Sequence, residues 1–87
     1  MLKITRAANG EVVLTVSGRL DAENLDELEA LVNSEASSSR VTLDLGDLTH
    51  VDHDAIRFLE RCEVETIQLK NCLAYIREWI TRERDQG

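Results

Sequence analysis

Four side chains that can bind a metal or move a proton lie within residues 50–54: His50, Asp52, His53 and Asp54. In an extended stretch, His50, Asp52 and Asp54 would point to one side, where they could hold a metal ion. His53 beside an aspartate could act as an acid/base pair. The chain has no third histidine and its two cysteines lie elsewhere, so a loop leading into a helix capped by Asp52 is the simpler explanation. We expect no enzymatic activity, metal or cofactor, and keep a small metal-binding or enzymatic protein using His50–Asp54 as an alternative.

Alternating apolar and polar residues predict the strands that would flank this run. Residues 2–5 alternate in this way, and residues 11–17 do so again after an Asn-Gly pair at positions 9 and 10. Such a pair between two alternating runs is typical of a β-hairpin. Residues 41–45 and 67–70 predict a third and a fourth strand, which are parallel because helices separate them.

Apolar residues at helical spacing predict two helices after the hairpin. Asp21 offers a cap for the first, over about Ala22 to Ser34. A loop from Gly46 to Val51 then leads to Asp52, the cap of the second helix. The apolar stripe of this helix consists of Ala55, Phe58, Leu59 and Cys62.

A third helix is predicted around Leu73, Ile76 and Ile80. Tyr75 and Trp79 widen its apolar stripe, either as core residues or, if exposed, as anchors for a partner. Residues from Thr81 to Gly87 form a charged tail that should fray, so the ordered core is about residues 1–81 of a single domain.

The element order is typical of an α/β fold with a four-stranded mixed sheet, an antiparallel hairpin followed by parallel strands. In every strand one face is aliphatic and the other carries mostly Thr, Ser, Asp, Gln or Lys, with Val13 as the main exception. Parallel strands covered on both sides would be apolar on both faces. The three helices should therefore lie mainly on one face, leaving the other open to solvent or to a partner.

Composition excludes several classes of function. The 87 residues are enough for one domain. They include 17 acidic and 10 basic residues, a formal charge of −7, which repels nucleic acid and anionic lipid. No apolar run approaches the roughly 20 residues that span a bilayer, and the N-terminus lacks the apolar region of a secretion signal, so we expect a cytoplasmic protein without direct membrane insertion. Cys62 and Cys72 are predicted to be reduced, small core residues.

Three segments together resemble a STAS domain (sulphate transporter and anti-sigma factor antagonist) over nearly the whole chain. They are Gly18-Arg19-Leu20-Asp21-Ala22-Glu23-Asn24, Val41-Thr-Leu-Asp-Leu45 and Val51-Asp52-His53-Asp54-Ala55. They are similar to the family's turn "G-x-L-D-x-x-N", its "LDL" strand and its "D-S-S-G" helix start. The resemblance implies a two-layer STAS-like fold.

The chain departs from the family pattern at its functional centre. In bacterial anti-sigma factor antagonists, the second Ser of "D-S-S-G" is phosphorylated by a partner kinase, and that position is Asp54 here. His53 and Ala55 replace the first Ser and the Gly, so a reversible phosphoserine switch cannot operate at this site. Asp54 either imitates the phosphorylated state or is an ordinary residue of a helix N-terminus.

The resemblance therefore implies a protein-interaction module that regulates a kinase-like or scaffold partner in signalling and transcription regulation. The expected partner-binding residues are Asp21, Asn24, Asp52, His53, Asp54 and Ala55. The alternative is an accessory STAS subunit of an ABC transporter complex, bound to its ATPase. Another STAS protein is a further candidate partner, and a homodimer stays open.

Overall fold

Four strands and three helices follow one another in the predicted order. The computed structural model describes residues 2–65 and 67–86, so Met1 and Gly87, the ends of the predicted domain, lie outside the described residues. The strands are β1 (Leu2–Ala8), β2 (Val12–Leu20), β3 (Val41–Val51) and β4 (Gln68–Lys70), and the helices are α1 (Leu25–Ala36), α2 (His53–Val64) and α3 (Ala74–Gln86).

The strands form one mixed sheet in the order β1-β2-β3-β4. β1 and β2 are antiparallel, whereas β2 with β3 and β3 with β4 are parallel. The Asn-Gly hairpin is confirmed: Gly10 has a φ of 87°, a left-handed conformation that glycine adopts without steric cost, and the Asn9 N–H donates to the Glu11 carbonyl at 3.0 Å. The predicted fold class is therefore confirmed.

Several element boundaries differ from the prediction, among them the start of α1 and the end of β3. α1 begins at Leu25 rather than Ala22, because the carbonyl of Asp21 accepts hydrogen bonds from the N–H groups of Asn24 and Leu25 and closes a separate turn first. Residues 46–51, predicted as a loop, continue β3 up to Val51. They remain paired with β2 through two register shifts, which a periodicity-based prediction does not foresee.

The predicted charged tail is helical instead. α3 continues to Gln86 because ion pairs hold its last turns. Arg84 lies 2.8 Å from Glu63 of α2, and Arg82 lies 3.1 Å from Glu78, one turn earlier on α3. The Arg84–Glu63 ion pair holds the end of α3 against α2, although this end of α3 has few apolar residues.

One aliphatic cluster joins the sheet to all three helices. It takes one face of β2 and β3 and the inner sides of the helices, and its members include Val12, Leu14, Val16, Leu28, Leu43, Leu45, Ile56, Leu59, Ile76 and Ile80. The predicted stripe on α2 is buried in it. On α3, Trp79 packs half-buried against the cluster, whereas Tyr75 is 49% exposed.

The opposite face of the sheet is more polar and carries one buried hydroxyl. Thr42 of β3 is 5% exposed and lies between Val13 and Gln68 of the neighbouring strands. Within the described residues, its Oγ1 has no hydrogen-bond partner. A buried polar atom left unpaired costs about 1–3 kcal/mol.

This hydroxyl leads to a stability prediction. Thr42→Val should raise the free energy of unfolding by up to about 1 kcal/mol, because it keeps the side-chain shape and removes the unpaired group. Urea unfolding monitored by circular dichroism measures the change. Thr15→Val, at a half-buried position of the same face, is the control and should change stability little. A loss of stability in Thr42→Val would show that the hydroxyl is hydrogen-bonded in solution.

Both cysteines are free thiols. Cys62 is buried in α2 as predicted, and burial raises the pKa of its thiol to about 12. Cys72 is half-buried, and burial is also the main reason that the pKa of its thiol is raised. Raised pKa values disfavour the thiolate, which is the reactive form. No helix within the described ranges is long and apolar enough to cross a membrane.

Candidate functional site

The Asp52 carboxylate joins two of the segments that carry the family resemblance. Its Oδ1 accepts the N–H of Ala55 at 2.9 Å, and its Oδ2 accepts the N–H of Ala22 at 2.9 Å. We call Gly18–Asn24 the β2–α1 turn and Asp52–Ala55 the α2 start. Asp52 is thus the helix cap that the sequence predicted, and the same side chain fixes the β2–α1 turn beside the helix it caps.

Hydrogen bonds also shift the titration of Asp52. Burial by itself would raise the pKa of this carboxyl group, but the N–H donors of Ala55 and Ala22 and the nearby charge of His50 together lower it. Asp52 is therefore ionised at neutral pH, which strengthens both hydrogen bonds.

The β2–α1 turn is closed by its own polar side chains. Asn24 accepts the N–H of Asp21 at 2.9 Å and donates to the carbonyl of Arg19 at 2.8 Å. The Asp21 carboxylate accepts the N–H of Glu23 and lies 2.8 Å from the guanidinium of Arg19. Asp21 therefore stabilises the turn, and it is not the cap of α1, since Asn24 holds the N-cap position without a side-chain cap bond. Asp21 and Asn24, both predicted to bind a partner, thus determine the shape of the β2–α1 turn.

A shallow recess separates the β2–α1 turn from the end of β3. Asp21, Asn24 and Asp52 line it together with Arg19 and His50. Three of the six predicted binding residues thus meet at one recess, with charges of both signs around it. This arrangement suits recognition of a polar surface, because the carboxylates of Asp21 and Asp52 are held in fixed positions by backbone N–H groups and a guanidinium.

His53 connects the α2 start to the end of α3. Its Nε2 lies 2.6 Å from Oε1 of Glu83, and the ring is 56% exposed. The predicted acid/base pair of His53 with Asp52 or Asp54 is therefore wrong. Within the described residues, the partner of His53 is Glu83. The sequence prediction missed Glu83 because it assigned this residue to a frayed tail.

Asp54 and Ala55, neighbours in the sequence, have opposite environments. Asp54 is exposed in the first turn of α2 and borders a groove between α1 and α2. Across residues 2–65 and 67–86, its carboxylate forms no hydrogen bond or ion pair. Ala55 is fully buried, so its predicted contact with a partner is corrected: its backbone N–H binds Asp52 and its methyl group packs in the core.

The metal-binding alternative has no geometric support. Among the residues described by the structure, no group of three His, Cys, Asp or Glu side chains lies close enough to hold a metal ion. β3 carries His50 to the recess, whereas α2 turns Asp54 toward the α1–α2 groove.

The sequence prediction also missed two arginines on the exposed side of α2. Arg57 and Arg61 line the α1–α2 groove with Asp54. Arg57 follows Asp54 by three residues and Arg61 follows Arg57 by four, and this spacing places all three on one side of the helix. That spacing is visible in the sequence, but the sequence prediction for α2 considered only the apolar stripe on the other side of the helix.

Comparisons with known proteins agree with this fold. The family model described as "Mlab, STAS domain" matches residues 4–72. No curated protein matches the chain. A solved structure of an uncharacterised DUF3478-family protein with a SpoIIAA-like fold, from Shewanella loihica PV-4, is similar in fold with a TM-score of 0.54 and 13% sequence identity. The match covers 78% of this chain and 61% of that chain.

The matched span includes both segments that Asp52 joins and reaches from within β1 past the end of β4. The shared fold is the mixed four-stranded sheet with its helices. The chain therefore belongs to the STAS-domain family described as "Mlab, STAS domain".

Proposed function

We propose that the protein is a cytoplasmic interaction module that binds a protein partner constitutively through the β2–α1 turn and the α2 start. The observation that carries this proposal is the double hydrogen bonding of Asp52, which makes one surface of two segments that are 30 residues apart. The side chains of Asp21, Asn24 and Asp52 are held in place by hydrogen bonds before any partner arrives. Such preorganisation reduces the entropy lost on binding.

Asp54 is the central residue of this proposed surface. It is exposed and carries a full negative charge at the positive end of the α2 dipole. By the family resemblance it stands where anti-sigma factor antagonists carry the phosphorylated Ser. A permanent carboxylate supplies one charge and two oxygens, fewer than a phosphate, but it needs no kinase to place it. The module would thus hold one binding state.

The proposed partner is a regulator with a kinase-like fold, as in anti-sigma factor antagonism. The absence of a hydroxyl at positions 53–55 excludes a phosphoserine switch there and supports binding that does not depend on nucleotide. We also infer that the protein is not an enzyme, because Asp21, Asn24 and Asp52 in the recess are engaged in turn and cap hydrogen bonds.

Asp54 variants test this proposal. Tagged wild type, Asp54→Ser, Asp54→Lys and Glu11→Lys are used for affinity capture from the native cell, and partners are identified by mass spectrometry. Glu11 lies before β2, at the end of the strand opposite to the site, and its variant is the charge-matched control. We expect one partner to be captured by wild type and Glu11→Lys alike, with recovery at least about tenfold lower for Asp54→Lys. Equal recovery by all four proteins would refute a contact at Asp54.

A second candidate is an accessory subunit of an ABC transporter complex. The same lack of a hydroxyl on the first turn of α2 favours it, because a permanent subunit needs no switch. The two candidates differ in what is captured. An ATPase subunit that stays bound through repeated washing, with or without ATP, supports the accessory subunit, whereas a kinase-like regulator supports the first candidate.

A further inference from the structure

The charges and apolar residues along the groove between α1 and α2 indicate which kind of partner segment could bind there. We propose that this α1–α2 groove binds an amphipathic helix of a partner protein, with two carboxylates one helical turn apart that pair with Arg57 and Arg61. The inference rests on the proposed function, because it specifies the partner of the surface that includes Asp54. The groove is lined by Ala22, Leu25, Asp54, Arg57, Arg61 and Val64, among others.

The two arginines differ from most others in this chain. Arg6, Arg19, Arg77, Arg82 and Arg84 each form an ion pair with a carboxylate of the same chain. In the described ranges, Arg57 and Arg61 form none, although the protein has 17 acidic residues. Two exposed guanidinium groups one turn apart on a regular helix can each bind a carboxylate through two hydrogen bonds.

Carboxylates around the groove also limit which kind of anionic partner can bind there. Asp26, Asp54 and Glu60 also line it. They repel a continuous polyanion such as nucleic acid, whose charges are about 1.7 Å apart along the duplex. A helix with separate carboxylates can meet the arginines and place a lysine near Asp54. The alternation of charge therefore selects a protein segment.

An apolar contact is available at the far end of the same stripe. Val64 is 73% exposed, and within the described residues the other exposed large hydrophobic residue is Tyr75, at 49%. Positions 54, 57, 61 and 64 follow each other at helical spacing along one side of α2. Leu25 of α1, 9% exposed, adds apolar surface on the other wall of the groove. A leucine of the partner helix would bury Val64, and that burial adds affinity that ion pairs alone do not supply.

Synthetic peptides test the pairing directly. The probe is an alanine-based helical peptide with Lys, Glu, Glu and Leu at positions i, i+3, i+7 and i+10, and a second peptide carries the same residues in reverse order. The side-chain Nε–H signals of Arg57 and Arg61 are followed by NMR during titration. We expect saturable shifts of both signals with one of the two orientations, and at least about tenfold weaker binding when Gln replaces both Glu residues.

Matched variants complete the test. Arg57→Glu combined with Arg61→Glu should abolish the binding, which is followed in all variants through the backbone amide signals of Leu25 and Val64. Arg40→Glu should keep the binding, since Arg40 is also exposed and lies after α1, outside the groove. The proposal is overturned if neither orientation saturates at about 1 mM peptide, or if the Gln peptide binds equally well. It is also overturned if duplex DNA shifts the same signals with similar affinity.

Failure of this inference can be told apart from failure of the proposed function. If the native partner is captured equally by wild type and by the double Arg variant, the interaction module stands and the groove is not its contact. If wild type captures no partner at all, the proposed function fails, and the peptide titration then judges the groove independently.

Discussion

Replacement of Leu59 by alanine is expected to lower the free energy of unfolding by about 3–4 kcal/mol. Leu59 lies at the centre of the buried stripe of α2 and has no exposed surface. The substitution removes apolar contact and leaves a cavity that a rigid sheet and helix cannot close. A domain of this length has roughly 4–13 kcal/mol of stability, so the variant should lose a quarter or more of the total.

Val64→Ala is the control for this prediction. Val64 belongs to the same helix but is 73% exposed, so its truncation should change stability by no more than about 0.5 kcal/mol. Urea unfolding of the three proteins compares the midpoints at an unchanged slope. A midpoint for Leu59→Ala equal to that of wild type would contradict the packing of α2 on the sheet.

Asp52→Ala is expected to cost about 2 kcal/mol, because it removes a helix cap and a hydrogen bond from a second segment. The cap bond to Ala55 and the bond to Ala22 are both 2.9 Å long. Loss of the second bond should also release the β2–α1 turn, seen as faster amide exchange at Ala22. Asp54 lies two residues further on, in the first turn of α2, and its side chain makes no such bonds. Asp54→Ala should therefore lower the free energy of unfolding by less than about 1 kcal/mol. Similar losses in the two variants would contradict the special role of Asp52.

The same variant gives a prediction for pH. The pKa of Asp52 is lowered in the folded state, so its carboxylate contributes stability above the unfolded value of 3.8, and this contribution is lost as pH falls through the lower folded value. The difference in stability between wild type and Asp52→Ala should therefore be constant near neutral pH and shrink below about pH 4. A difference that stays the same at pH 2.5 and 7 would show that the charge does not contribute.

Short-range patterns predicted most of the fold. Alternation gave the strands, and the Asn-Gly pair gave the hairpin, because these features depend on neighbours in the sequence. The cap at Asp52 was predictable for the same reason. The extension of β3 to Val51 was not, since residues 46–51 are held by pairing with β2, and a register shift interrupts the alternation on which the prediction relies.

The candidate site was predictable only in part. Its residues were named from the resemblance, but their environments depend on contacts between distant segments. Asp52 reaches Ala22, and His53 reaches Glu83, each 30 residues away. No periodicity in the sequence indicates such pairs. The burial of Ala55 beside the exposed Asp54 follows from the rotation of α2 against the core, which the apolar stripe did indicate.

The strand order β1-β2-β3-β4 affects how the protein can fold during its synthesis on the ribosome. Each new strand pairs with the one made just before it, so the sheet can grow from one edge to the other as the chain emerges. α3 comes last, and its Ile76 and Ile80 cover the cluster that α2 has begun. A chain that ends before residue 74 would have all four strands yet an uncovered apolar surface, and it would be prone to aggregation.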